Sequence, residues 1–155
     1  MPGHPPAASA AAPARGAARL LRRTQAELDA LFARSAPGPL PDGECRGTAI
    51  LAPGTALAVG AAVLIGHLAW RGKVFDAAAG RVWNRIQPFG LSAIAAEVRS
   101  GTSRRDGRAC IVLDYSRTSL VARGVRDEIR LVRPGLYLGQ AYWRGVRLFD
   151  FALEF

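Results

Sequence analysis

Cysteine and histidine are almost missing from this chain of 155 residues, which has only Cys45, Cys110, His4 and His67. Two thiols are too few for a disulfide scaffold or a four-thiolate zinc site, and two imidazoles leave little for a histidine-built one. No metal and no cofactor is therefore expected. Lysine is scarcer still: Lys73 stands alone against twenty arginines. No acid precedes Glu27, whereas Arg15, Arg19, Arg22 and Arg23 do, which mimics a transit peptide. The apolar h-region of a secretory signal is missing near the start, so a solvated leader on a cytoplasmic protein is the expectation. The sequence also lacks a Gly-x-Ser-x-Gly elbow, a phosphate-cradling P-loop and a His-Glu-x-x-His pair. No catalytic residue is assigned from motifs.

What is present is a chain 50% hydrophobic and 21% charged, with a net charge of +9. That composition fits one globular domain and excludes overall disorder. The arginines recur singly between apolar residues instead of forming one basic, aromatic-rich face, so no nucleic-acid partner is expected.

Residues 1–18 are small, with four prolines in the first 13 positions, and read as a disordered leader. An amphipathic helix follows over 19–35. Thr24 and Glu27 have capping-box spacing, and Leu28, Leu31 and Phe32 recur at helical intervals. Pro37, Pro39 and Pro41 end it, giving a proline-rich linker over 36–44 before a single domain of residues 45–155. From Thr48 to Trp70 there is no charged side chain, and residues 55–70 read as a helix. Its small-residue stripe Ala58, Ala62, Gly66 suits burial against a sheet or pairing in a membrane. At 16 residues it is short for the ~20 that a bilayer needs. A buried helix is the main reading, and attachment to a membrane through 55–70 the alternative.

Beyond Lys73 the hydrophobic period becomes two. Phe149, Phe151, Leu153 and Phe155 alternate with Asp150, Ala152 and Glu154, and turn pairs such as Asp106-Gly107, Pro134-Gly135 and Arg144-Gly145 separate the runs. The candidate strands are 73–78, 81–87, 91–99, 109–115, 118–122, 125–133, 136–143 and 146–155. Short hairpins make the sheet antiparallel, and a meander of that many strands tends to close and so remove its edges. The expected fold is mainly β: an antiparallel up-and-down barrel or half-barrel of seven to eight strands with one or two N-terminal helices. The interior of such a barrel is either filled by side chains or holds one small ligand.

The candidate chemistry lies on these strands. Ile129 should face inward with Leu131, which turns Asp127 inward and Arg126, Glu128 and Arg130 outward. An inward carboxylate needs a cation or several donors, and Lys73, Arg126, Tyr115, Ser116 or Tyr137 could supply them. Such an acid either anchors the polar end of a ligand or forms a buried ion pair that fixes register, with Arg126, Glu128 and Arg130 a solvated ladder. Trp70 and Lys73 sit where the middle segment meets the first barrel strand, so the Trp can close the barrel's end. Cys110 follows Arg108 closely enough for a lowered thiol pKa. Gly139, in mid-strand, suggests a bulge or a close backbone approach.

The run from Trp70 to Phe75, with Asn84, Asp106-Gly107, Asp114-Tyr115 and Asp127 through Gly139, resembles small bacterial lipocalin-like (calycin-type) proteins over about residues 42–155. The resemblance implies a cavity for an apolar small molecule such as a lipid, sterol or pigment. Its binding residues would be Trp70, Lys73, Phe75, Asn84, Asp114, Tyr115, Arg126, Asp127 and Tyr137. The chain lacks the Gly-x-Trp and the disulfide pair of extracellular members. An intracellular carrier of an apolar ligand is the leading expectation. A small barrel isomerase or cyclase using Asp127, and a barrel held at a membrane surface, are the other two.

Overall fold

The structure is a computed structural model that describes residues 15–50, 70–86, 91–120 and 122–155; the side chains of 70, 71, 86 and 91–94 lie outside that description. Two helices, α1 (Arg15–Leu21) and α2 (Gln25–Arg34), precede eight strands. These are β1 (Gly43–Ile50), β2 (Trp70–Asp76), β3 (Arg81–Ile86), β4 (Leu91–Thr102), β5 (Ala109–Asp114), β6 (Val125–Arg133), β7 (Leu136–Trp143) and β8 (Val146–Glu154). Each strand pairs antiparallel with the next, and β1 pairs antiparallel with β8, so the barrel is closed. The mainly β expectation holds in its full-barrel form.

Three local readings are corrected. Gly43–Ile50 is a strand that sequence reading missed, because Gly-Glu-Cys-Arg-Gly-Thr carries no sustained alternation. It begins inside the stretch taken as linker. The described residues of 118–122, namely 118–120 and 122, are not in a strand: the amides of Thr118 and Ser119 turn back to the Tyr115 carbonyl. Helix α1 starts at Arg15, within the expected leader. Most of the expected helix 55–70, with His67, lies outside the described residues, and Trp70 itself is in strand β2. No helix among the described residues is long and apolar enough to cross a membrane.

Helix α2 forms for the reasons its sequence gives. The Thr24 side chain accepts from the Glu27 amide while the Glu27 carboxylate accepts from the Thr24 amide, so two otherwise orphaned donors are satisfied. Its Leu28, Leu31 and Phe32 join Ala17 and Leu20 of α1 against Ile50, Leu136, Leu138 and Ala152 on the outer barrel wall. Helix α1 lies over β8 and β1, where the Glu154 carboxylate accepts from the amides of Gly16 and Ala17 at 3.0 Å each.

The β4–β5 ribbon also covers the outer wall. Strand β5 joins β6 only from Ile111 onward; ahead of that Ala36 takes its place, accepting from the Leu131 amide at 2.9 Å. The ribbon's tip lies against β6. The Arg104 amide donates to both Glu128 oxygens, and Arg130 donates to Asp106 at 2.7 and 2.8 Å. Glu128 and Arg130 are thus fully buried on the outer wall, not a solvated ladder. Arg130 also stacks on the Phe32 ring and donates to the Phe32 carbonyl.

The barrel has two unlike ends. At the base, Phe155 packs on Phe75 and Tyr137 with ring centroids 5.7 and 5.8 Å apart. At the rim lie the β5–β6 connection and the tight β7–β8 turn, in which Arg144 and Gly145 both take positive φ (47° and 84°), as a two-residue hairpin loop requires.

Candidate functional site

Strand alternation sends Lys73 and Phe75 of β2 into the barrel, and Lys73 stands opposite Asn84 of β3 in the ladder. Val125, Asp127 and Ile129 point inward from β6, and Tyr115 points inward just beyond β5. Lys73, Asn84, Tyr115 and Asp127, each buried, therefore converge inside the apolar core.

The bonding is directional. Lys73 Nζ donates to Asn84 Oδ1 at 2.6 Å, to Tyr115 Oη at 2.7 Å and to Asp127 Oδ2 at 3.2 Å. Asn84 Nδ2 donates to Tyr115 Oη at 3.0 Å, and Tyr115 Oη donates to Asp127 Oδ2 at 3.1 Å. Two donors thus converge on one oxygen of Asp127. Its other oxygen, Oδ1, is buried, and no hydrogen-bond donor reaches it among the described residues. The Lys73 ammonium also lies 5.4 Å from the centre of the Tyr115 ring and 5.7 Å from that of Phe151.

Burial works against the charge on Lys73, but the Tyr115 oxygen and the Asp127 carboxylate outweigh it and hold the amine above its ordinary value. Burial, reinforced by Asp127, pushes the Tyr115 phenol up to about 12 against the opposing pull of Lys73. Both groups keep their protons at neutral pH. The cluster is an ammonium and a carboxylate bridged by a neutral phenol and an amide, with one acceptor unused.

Gly139 serves this interior differently from the expected bulge. The Phe151 ring lies over it, so closely that a Cβ there would fall 2.2 Å from Phe151 Cζ. At Gly72 (φ 154°) it is the β1 backbone that comes close: a Cβ would fall 2.0 Å from the Cys45 carbonyl oxygen.

The other sequence candidates lie apart from this cluster. Phe75 is inside but packs at the base. Tyr137 is also inward, and its hydroxyl donates to the Pro39 carbonyl at 2.7 Å. Asp114 faces outward to Arg99 at 3.3 Å, and Arg126 bonds Glu128 and the Thr102 carbonyl on the outer wall. The Trp70 side chain is outside the described residues. Cys110 does not have the lowered pKa that Arg108 suggested: burial, then the Glu128 charge, pushes it up to about 11. Cys45, inside the barrel, is likewise pushed up to about 11 by burial. Among the described residues no group of three or more His, Cys, Asp or Glu side chains is placed to hold a metal.

Sequence reasoning placed Asp127 and named Lys73 and Tyr115 as donors. It left Asn84 unconnected to them, although the 73/84 ladder pair is the signal that joins it. It missed Phe151 as the lid on Gly139.

Fold and site together define a closed eight-stranded antiparallel barrel with a charged cluster in its interior. No protein-family model and no curated protein matches the chain. A crystal structure of a protein from Thermomonospora curvata is similar, with a TM-score of 0.59 and 23% identity over 85% of this chain and 87% of that one. At that identity the likeness speaks for the fold alone.

Proposed function

We propose that this chain is a binding protein for an apolar small molecule that carries a neutral hydrogen-bond donor, a hydroxyl above all, held with its polar end at Asp127. The supporting observation is the unused Oδ1 of a carboxylate that is only 3% exposed. Buried polar atoms nearly always find partners, and leaving one without costs roughly 1–3 kcal/mol, more if it is charged. A hydroxyl donated to Oδ1 removes that cost. A ligand carboxylate would instead bring a second negative charge against Asp127, and a ketone has only acceptors to offer. The lipocalin-like resemblance agrees with the apolar class of ligand.

A proton-transferring isomerase or cyclase draws less support from the same cluster. A general acid or base works best with a pKa near the operating pH, and the two groups that donate to Asp127, which such an enzyme would use, are far from it: Tyr115 at about 12, and Lys73.

The test has two stages: mass spectrometry of an organic extract of the purified protein, then calorimetric titration with 1-dodecanol and with dodecanoate. The alcohol should bind about tenfold or more tightly than the acid, the worth of one satisfied buried acceptor. Asp127→Asn should erase that preference. An empty extract with no uptake of either probe overturns the binding reading. Equal affinity for both overturns the role given to Asp127.

A further inference from the structure

We propose that the rim of the barrel docks onto an anionic lipid surface, with Leu120 entering the headgroup layer and Arg117, Arg123 and Arg144 meeting its phosphates. This reading is independent of the ligand proposal, because none of these residues belongs to the interior cluster.

Leu120 is the most exposed large apolar side chain among the described residues, at 86%, and Val146 at the same end of the barrel is 53% exposed. They sit on two of the connections at this end, β5–β6 and β7–β8. The two are joined directly: the Arg144 amide donates to the Gly124 carbonyl at 2.9 Å. An isolated exposed leucine needs no explanation. This one shares its connection with exposed Arg117 and Arg123, and Arg144 is exposed on the adjoining turn. Among the described residues none of those three forms a salt bridge, as is true of most arginines of the chain. Residues 115–124 and 143–147 contain no acid, and the neighbouring Asp114 is already taken by Arg99. The rim therefore combines uncompensated positive charge with a protruding aliphatic group, the pairing that suits an anionic bilayer surface.

Nucleic acid would also attract the arginines, but it is gripped by stacking on open aromatic faces. Among the side chains described at this rim, Trp143 is covered by Arg144 at 5.0 Å and packed against the core, and the one that protrudes furthest, Leu120, cannot stack. The β7–β8 turn adds a geometric argument. Arg144 holds positive φ, where asparagine or glycine would be less strained, and so keeps a cation at the tip of the hairpin.

Co-sedimentation of the full chain with vesicles tests the proposal. Binding should appear with phosphatidylcholine mixed with phosphatidylglycerol, be far weaker with phosphatidylcholine alone, and fall as salt is raised. Leu120→Ser, at a position too exposed to disturb folding, should lower the partition coefficient about tenfold or more. The pair Arg117→Gln and Arg123→Gln should lower it roughly thirtyfold. Unchanged thermal melting of each variant confirms that the fold is intact. The proposal fails if neutral and mixed vesicles bind alike, if neither variant changes binding, or if no vesicle sediments the protein. It also fails if the protein binds a single-stranded RNA oligonucleotide in preference to vesicles and only the arginine changes weaken that binding, which assigns the rim to nucleic acid.

Discussion

Lys73 and Asp127 form an ion pair where water does not reach, and such pairs are asymmetric in their energetics. Keeping both is close to neutral relative to an apolar pair, whereas losing one strands the other charge. Lys73→Met should therefore lower the unfolding free energy by roughly 3–5 kcal/mol, and Lys73→Met with Asp127→Leu should recover most of that loss. Urea titration of the three proteins measures it, and a double variant no better than the single one would mean that the cluster's other members, Asn84 and Tyr115, carry the cost. At this scale the sequence was informative about direction but not about environment. Asp127 could be aimed inward by parity with Ile129. Glu128 and Arg130 could be aimed outward the same way, but nothing local revealed that a ribbon and a helix bury them. Burial of an outward side chain depends on segments more than twenty residues away, such as Asp106 and Phe32.

Among the elements, legibility followed periodicity. Helix α2 was readable because its cap, its apolar face and its terminating prolines all agree. Strand β8 was readable because Phe149, Phe151 and Leu153 alternate cleanly. Strand β1 was not, since its pairing is fixed by backbone ladders to β2 and β8 and not by its own side chains. Segment 118–122 imitated a strand through Leu120 and Val121, while its hydroxyl residues make turns. Gly139 was flagged correctly as special and explained wrongly, because the group that needs the space is the Phe151 ring and not backbone. Gly139→Ala should destabilise the protein by about 1–3 kcal/mol through forced repacking of that ring. Adding Phe151→Leu should make the alanine markedly less harmful than it is alone. A double-mutant cycle in denaturant reads the coupling, and strict additivity would show that ring and glycine are not in conflict.

For the whole molecule, the antiparallel order could be argued from turn spacing, and a barrel from the tendency of a long meander to lose its edges. The count of eight, however, took 118–122 for a strand in place of β1, and the sequence did not show which strands make the closure. It rests on the β1–β8 ladder, and β1 was the unseen strand. That ladder joins residues about a hundred positions apart, while every other pairing links neighbours in the chain. Helix α1 lies across this joint, fastened by Glu154 to the amides of Gly16 and Ala17. Charge-assisted bonds of that kind contribute more than neutral ones. Glu154→Gln should therefore speed amide exchange at Gly47–Ile50 and Phe151–Leu153 before it affects β6 and β7. Uniform acceleration around the barrel would count against this. The sequel is a matter of edges. A cylinder parted along one line presents two bare rows of amides and carbonyls, and rows of that kind recruit each other between molecules. Weakening so small a fastening should thus be felt first as self-association of a protein whose strands are still formed.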